Sequence, residues 1–81
     1  MTLLKKGDRV RMRADETHDW SIGVVILASP NGVAIAVNFE DDVIRTETGG
    51  MFIGSVPFTV DYERELVEDL MGNGYDLEVS V

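Results

Sequence analysis

The stretch KKGDRVRMR, residues 5–13, contains five of the seven basic residues of the chain. Apolar and basic side chains alternate in it, with Val10 and Met12 on one side. A period of two is typical of a β-strand that buries one face, so we predict a strand here. Its exposed side carries three arginines, which we call the basic strip: Arg9, Arg11 and Arg13.

The basic strip belongs to a strongly acidic protein of net charge −8. Residues 1–14 contain five bases and one acid, whereas residues 15–81 contain two bases and fourteen acids. A net charge this negative repels phosphate backbones and argues against general nucleic-acid binding. Three interpretations of the basic strip remain: pairing with a neighbouring acidic strand, a solvated face, and a contact to phosphate.

The length of 81 residues predicts a single domain that spans residues 1–81. Because the chain has no cysteine, it has no disulfide, thiol nucleophile or thiolate zinc site. Neither a signal-peptide segment nor an apolar run of membrane-spanning length is present in the sequence. We therefore expect a cytoplasmic protein without a membrane contact.

Six segments have the composition and alternation of β-strands, and turn residues separate them. The clearest hairpin joins two apolar runs through Ser29-Pro30-Asn31-Gly32, whose residue types favour a tight turn. The predicted strands are residues 8–13, 20–28, 33–39, 43–46, 51–56 and 75–81.

One helix is predicted at about residues 60–71, because five apolar residues there are spaced to form a single helical stripe. These residues are Tyr62, Leu66, Val67, Leu70 and Met71. The predicted order of elements is β-β-β-β-β-α-β. Short antiparallel strands at this spacing favour a mainly β (α+β) fold, a small and partly open antiparallel barrel.

The run from Lys6 to Met12, followed by Gly23-Val24-Val25, resembles the opening of SH3-like barrels of the KOW and Tudor-like kind. Those barrels have a K-x-G-D-x-V turn before the first strand and a G-x-V at the second. Residues 37–42 are similar to their V-x-F-D-D-G step, so the resemblance covers residues 5–44. It implies a fold and no specific family or activity. As a whole, the chain also resembles small proteins of phages and mobile genetic elements.

In SH3-like barrels the first and last strands lie side by side, which suggests a structural role for the basic strip. The last predicted strand, residues 75–81, exposes Asp76 and Glu78 on its polar face. We predict that the arginines face these carboxylates across the strand pair. Pairing of this kind would also set the register of the two strands.

Metal and ligand sites have weak support in the sequence. Residues 15–19 hold several possible metal ligands around His18, the only histidine, but ligands of a metal site usually converge from several elements. The acidic residues 40–42 with Glu47 lack the spacing of a calcium loop. An aromatic cage for a cation is a further alternative, formed by Trp20, Phe39, Tyr62 and Tyr75.

Catalytic signals are also missing from the sequence. No serine lies in a recognisable nucleophile context, and Gly49-Gly50 precedes a predicted strand rather than a helix. We therefore expect a protein that is not an enzyme and has no cofactor.

The apolar surplus is more informative, because strand 20–28 is apolar on both faces. Aromatic residues and methionine are enriched at protein interfaces. The interaction patch that we predict consists of Trp20, Met51, Phe52, Ile53 and Phe58. We expect a small acidic interaction module that self-associates or binds another protein. The alternatives are an acidic DNA mimic that inhibits a nucleic-acid-binding protein, and direct nucleic-acid binding by the basic strip.

Overall fold

The structure is a computed structural model that describes residues 2–40, 44–45, 51–52 and 55–80. Eight β-strands lie in these ranges, each short enough to be typical of small β domains. The strands are β1 (Arg9–Arg13), β2 (Ser21–Ala28), β3 (Ala34–Phe39), β4 (Ile44–Arg45), β5 (Met51–Phe52), β6 (Val56–Asp61), β7 (Leu66–Asp69) and β8 (Gly74–Val79).

Six of the strands form a closed antiparallel barrel in the order β1-β2-β3-β6-β7-β8, and β8 pairs with β1 to complete it. The other two, β4 and β5, form a two-stranded sheet of their own. The sequence predicted a partly open barrel, which is wrong. The predicted pairing of the first and last strands is confirmed.

The interior of the barrel is filled by the alternate apolar residues of its strands, as the period of two requires. Val10 and Met12 of β1 are both buried, and so are Val25 of β2 and Val37 of β3, which lie opposite each other in the register. Among the described residues, the buried core consists of Leu4, Val10, Met12, Val25, Ile35, Val37, Phe58, Val60 and Val67.

The predicted helix at residues 60–71 is absent, and the described residues contain no helix at all. The segment instead completes β6, turns at residues 62–65 and continues as β7. Glu65 has a left-handed backbone, with a φ of 50°, which lets the chain reverse into β7. Antiparallel pairing of β6 with β7 replaces the helical hydrogen bonds that the apolar stripe suggested. The paired residues run from Phe58 opposite Asp69 to Asp61 opposite Leu66.

The predicted strand at residues 51–56 is also corrected, because its two ends belong to different sheets. Met51–Phe52 pair with β4, whereas Val56 begins β6 of the barrel. Pro57, the residue after this predicted strand, lies inside β6 opposite Ala36. Residues 43, 46, 53, 54 and 81 of the predicted strands lie outside the described residues.

The two ends of the barrel differ in the segments that they carry. One end carries the N-terminal residues 2–8, the β2–β3 turn and the β6–β7 turn. The opposite end carries the β1–β2 loop and the β7–β8 turn. We call the second end the pocket end, because an apolar cavity opens there. Among the described residues, no helix is long and apolar enough to span a membrane.

Candidate interaction surfaces

The basic strip lies between two other strands on the outer face of the barrel, and its main partners are carboxylates of β8. Arg11 is opposite Glu78 and Arg13 is opposite Asp76 in the register of the two strands. Arg11 Nε donates to Glu78 Oε2 at 2.8 Å, and Arg13 Nε donates to Asp76 Oδ2 at 2.9 Å. The predicted pairing of the basic strip with the last strand is therefore confirmed for two of its three arginines.

The third arginine of the strip has a different partner. Arg9 Nη2 donates to Glu40 Oε2 at 3.2 Å, just beyond the end of β3. The side chains of this pair remain about half exposed. Each arginine of the strip thus has a carboxylate within ion-pair distance, which leaves less of its charge for phosphate.

Trp20, predicted as part of an interaction patch, packs against the basic strip. The guanidinium carbons of Arg11 and Arg13 lie 4.5 and 4.2 Å from the centroid of its ring. These are cation–π distances, and the ring is only partly exposed as a result. We call this surface the arginine ladder: Arg11, Arg13, Trp20, Asp76 and Glu78.

Of the other members of the predicted patch, Phe58 does not lie on the surface with Trp20. Phe58 lies in the core with 4% of its surface exposed. Met51 and Phe52 form β5, and Ile53 lies outside the described residues. The apolar character of these residues is evident from the sequence, but the sequence does not indicate that the barrel buries Phe58.

An apolar cavity of about 360 Å³ opens at the pocket end. Three aromatic residues line it, together with the buried Met12 and the start of β6 at Val56. Its rim is polar and belongs mainly to the β1–β2 loop. We call this cavity the barrel-end pocket; its lining residues are Met12, Arg13, Ala14, His18, Asp19, Ser21, Phe39, Val56, Phe58 and Tyr75.

The aromatic rings of the barrel-end pocket are fixed by contacts with one another. Phe58 packs edge-on against Phe39 with 6.2 Å between centroids, and against Tyr75 with 5.3 Å. Such T-shaped arrangements are favourable because the positive edge of one ring meets the negative face of the next. The rings therefore present a preformed apolar wall.

Tyr75 is held in place by Asp69 at the end of β7. The Tyr75 hydroxyl donates to Asp69 Oδ2 at 2.8 Å. Burial, together with this hydrogen bond to a negative carboxylate, raises the pKa of Tyr75. Its hydroxyl thus stays protonated and keeps donating at neutral pH.

Asp69 also organises the turn that joins β7 to β8. Its carboxylate accepts hydrogen bonds from the Asn73 amide side chain and from the backbone N–H groups of Asn73 and Met71. These bonds, with the one from Tyr75, lower the pKa of Asp69 from 3.8 to about 2. The turn presents two exposed apolar residues, Leu70 and Met71, at the pocket end.

A second carboxylate with a lowered pKa lies in the β1–β2 loop. Asp15 accepts from the Thr17 hydroxyl at 2.5 Å, lies 2.8 Å from His18 Nδ1, and accepts from the Thr17 backbone N–H. These contacts lower its pKa from 3.8 to about 2. Because an ionised carboxylate only accepts, the His18 nitrogen is the donor in its contact.

The Asp15–His18 pair resembles the orienting half of a catalytic triad, and Ser21 lines the same pocket as His18. A nucleophile must lie within hydrogen-bond reach of its base. The described hydrogen bonds include none between His18 and Ser21, so the geometry does not assemble a nucleophile. Nor do the described residues contain three histidine or acidic side chains grouped to hold a metal.

The aromatic cage considered from the sequence is divided between distant places. Phe39 and Tyr75 line the barrel-end pocket, whereas Trp20 belongs to the arginine ladder. Tyr62 lies at the opposite end of the barrel and bonds to Gly32. Phe58, which completes the aromatic wall, was predicted as part of the interaction patch. It points inward because it lies opposite the buried Ile35 in the register.

A larger groove of about 540 Å³ runs along β8 beside the arginine ladder. Its lining includes Thr2 and Glu65, together with four members of the ladder: Arg13, Trp20, Asp76 and Glu78. Apolar lining with a few polar groups is typical of binding cavities. The barrel-end pocket meets that description better than the groove, although it is smaller.

Comparison of the chain with protein families, with curated proteins and with solved structures found no match. The fold is therefore a small closed six-stranded antiparallel barrel, and no protein family is identified for the chain.

Proposed function

We propose that the chain is a non-enzymatic interaction module that binds an apolar side chain of another protein, or of a second copy of itself, in the barrel-end pocket. The observation that carries this proposal is the aromatic wall of Phe39, Phe58 and Tyr75 around an apolar cavity of about 360 Å³. A cavity of this size and lining is the default binding site of a small domain. An inserted side chain would add a further ring or methyl contact to the wall.

The interaction module would then be a variant of the SH3-like barrel. Two features support this finer classification: the opening motif in residues 5–13, and the pairing of β1 with β8. The described residues depart from the expected order by having β7 where a helix was predicted. The classification concerns the fold, and the binding proposal does not depend on it.

The test uses a bulky side chain that blocks the mouth of the pocket. Ala14 is exposed at the rim, so Ala14→Trp would cover the opening without replacing a core residue. Ala34 is also exposed, but it lies on the outer face of β3 opposite Thr59. Ala34→Trp is therefore the matched control for an added surface tryptophan.

Peptides selected from a random phage-displayed library on the wild-type protein supply the ligand for this test. We expect the selected peptides to contain a large apolar residue, and to bind Ala14→Trp at least about tenfold more weakly, which equals roughly 1.4 kcal/mol. Binding to Ala34→Trp should be unchanged. Failure to enrich any peptide, or equal binding to both variants, would contradict the proposal.

A second candidate function is the acidic mimic of a nucleic acid. The arginine ladder favours it over direct nucleic-acid binding, because Arg11 and Arg13 are engaged by carboxylates of β8. In a chain of net charge −8, paired arginines leave an acidic surface that a basic protein would recognise. The mimic would be supported if the chain competes with duplex DNA for a basic DNA-binding protein, and if its affinity for that protein falls steeply as the salt concentration rises. Direct binding of the chain to DNA at low salt would contradict it.

A further inference from the structure

We infer that the segment bound in the barrel-end pocket is basic on both sides of its apolar residue, so that lysine or arginine side chains lie over the rim. This inference rests on the proposed function, since it names the partner of the same pocket. It is carried by the charges that surround the pocket, which are mostly negative.

The rim and its immediate surroundings carry several acidic residues on two different elements. Asp19 lines the pocket itself. Asp15 and Glu16 line a separate cavity of about 400 Å³ beside it, which shares Arg13, Ala14 and Tyr75 with the pocket. On the other side, Asp69 contacts the wall residue Tyr75. The lowered pKa values of Asp15 and Asp69 keep both carboxylates ionised at neutral pH.

The two basic groups among the described pocket-lining residues already have partners. Arg13 donates to Asp76 and packs on Trp20, so its charge is balanced by that of a carboxylate. His18 Nδ1 is bound by Asp15. A ligand at the rim therefore meets a net negative field, which attracts cationic side chains and repels acidic ones.

The same charges argue against a second copy of the chain as the occupant. In a two-fold symmetric dimer through the pocket end, equivalent surfaces face one another. Asp19 and Glu16 of one copy would then approach the same acidic residues of the other, and this like-charge contact is unfavourable. A basic partner removes that repulsion and gains attraction at the same positions.

The test compares three synthetic peptides that differ in the central residue or in its flanks. The first, acetyl-GKKFKKG-amide, combines a phenylalanine with lysines; the second has glutamates in place of the lysines; the third has glycine in place of the phenylalanine. Each peptide is titrated into isotopically labelled protein, and backbone amide shifts are followed by NMR. We expect the lysine–phenylalanine peptide to shift the amides of Ser21, Phe39 and Tyr75 and to bind most tightly at low salt.

Two further variants compare the loss of negative charge at the rim with the loss of a charge far from it. The double change Glu16→Gln and Asp19→Asn removes two negative charges beside the pocket. Glu63 is exposed in the turn at the opposite end of the barrel, so Glu63→Gln removes a negative charge far from the pocket. We expect the rim variant to bind the lysine–phenylalanine peptide roughly three- to tenfold more weakly, and Glu63→Gln to bind it as the wild type does.

The outcomes separate this inference from the function on which it rests. Equal or tighter binding of the glutamate peptide, still abolished by Ala14→Trp, would overturn the basic partner and leave the pocket in place. Shifts at the pocket that depend on protein concentration alone would identify a second copy as the occupant and overturn the inference. If no peptide shifts the pocket amides, both proposals fail.

Discussion

At the scale of single residues, Asp69 and Tyr62 illustrate how one polar side chain holds each end of the barrel. Asp69 joins the β7–β8 turn to the pocket wall through Tyr75. At the other end, the Tyr62 hydroxyl accepts from the Leu4 backbone N–H and donates to the Gly32 carbonyl, both at 2.8 Å. Both side chains form hydrogen bonds with backbone groups of the segments that flank the strands.

The Asp69 carboxylate predicts a specific acid dependence of stability. Its pKa is about 2 in the folded protein against an ordinary value of 3.8, so the folded state favours the ionised form. The resulting stabilisation is present above pH 3.8 and is lost as the pH falls from there towards 2. We expect Asp69→Asn to be less stable at neutral pH, and to lose less stability than the wild type across that acidic range.

Denaturant unfolding at several pH values measures this effect. Asp15 has a similarly lowered pKa, so adding Asp15→Asn to Asp69→Asn should flatten the acidic slope further. An Asp69→Asn protein with the same acidic slope as the wild type would show that Asp69 does not supply this stabilisation.

Tyr62 is expected to matter through its hydroxyl alone. Tyr62→Phe keeps the ring but leaves the Leu4 N–H and the Gly32 carbonyl without this partner, which costs about 1–3 kcal/mol in the free energy of unfolding. The effect should be measured by urea unfolding with an unchanged denaturant slope. A loss below about 0.5 kcal/mol would mean that water replaces the hydroxyl.

Gly32 makes the same end intolerant of a side chain. It has a positive φ of 69°, and an added Cβ would lie 2.8 Å from the Leu4 carbonyl oxygen. Both the backbone conformation and the space therefore require glycine here. This requirement explains why the Ser29–Gly32 turn is readable from the sequence.

At the scale of elements, the β1–β8 pair closes the barrel and carries the arginine ladder. Cross-strand pairs such as Arg11 with Glu78 contribute little individually, about 0.2–1 kcal/mol each, but they distinguish the correct register from a shifted one. A shift by one residue would move Val10 and Met12 from the core to the surface. Charge and burial thus select the same register.

A charge exchange tests the ladder. Arg11→Glu would place two glutamates opposite each other and should reduce the free energy of unfolding by about 1 kcal/mol. Adding Glu78→Arg restores an opposite-charge pair and should recover most of the loss. Thermal unfolding of the two single variants and the double variant gives the coupling, and additive effects would show that the pair does not interact.

The strands of the barrel could be predicted from the sequence where one face is buried, because the alternation in β1, β3 and β8 is local information. The pairing of β1 with β8 was implied by the resemblance to SH3-like barrels, and the complementary charges of the two strands agree with it. The prediction of a helix at residues 60–71 was wrong because pairing with a neighbouring strand decides the structure of this segment. Tyr62, Leu66 and Met71 have helical spacing, but strand pairing of β6 with β7 overrides a weak local preference.

The candidate site could be predicted less well than the fold. Trp20 and Phe58 were grouped because both are apolar, yet one packs on arginines and the other fills the core. Phe39 and Tyr75 were paired only within a cage that also needed Tyr62. Which aromatic residues meet depends on the closure and stagger of the barrel, which no local pattern records.

At the scale of the whole molecule, charge and apolar surface are distributed unevenly. The basic strip is neutralised on the outer face, whereas the pocket end combines an apolar cavity with the exposed Leu70 and Met71. An apolar opening whose surrounding charges are mostly negative is suited to a basic partner. The binding proposal therefore places the recognition surface at one end of the barrel rather than on its side.

The location of peptide binding tests this central claim most directly. A peptide selected on the wild-type protein would be titrated into isotopically labelled protein while backbone amide shifts are recorded. We predict that the largest shifts belong to Ser21, Phe39 and Tyr75 around the barrel-end pocket, and that Ala14→Trp removes them. Large shifts confined to Arg11, Arg13 and Glu78 of the arginine ladder, unaffected by Ala14→Trp, would contradict the account.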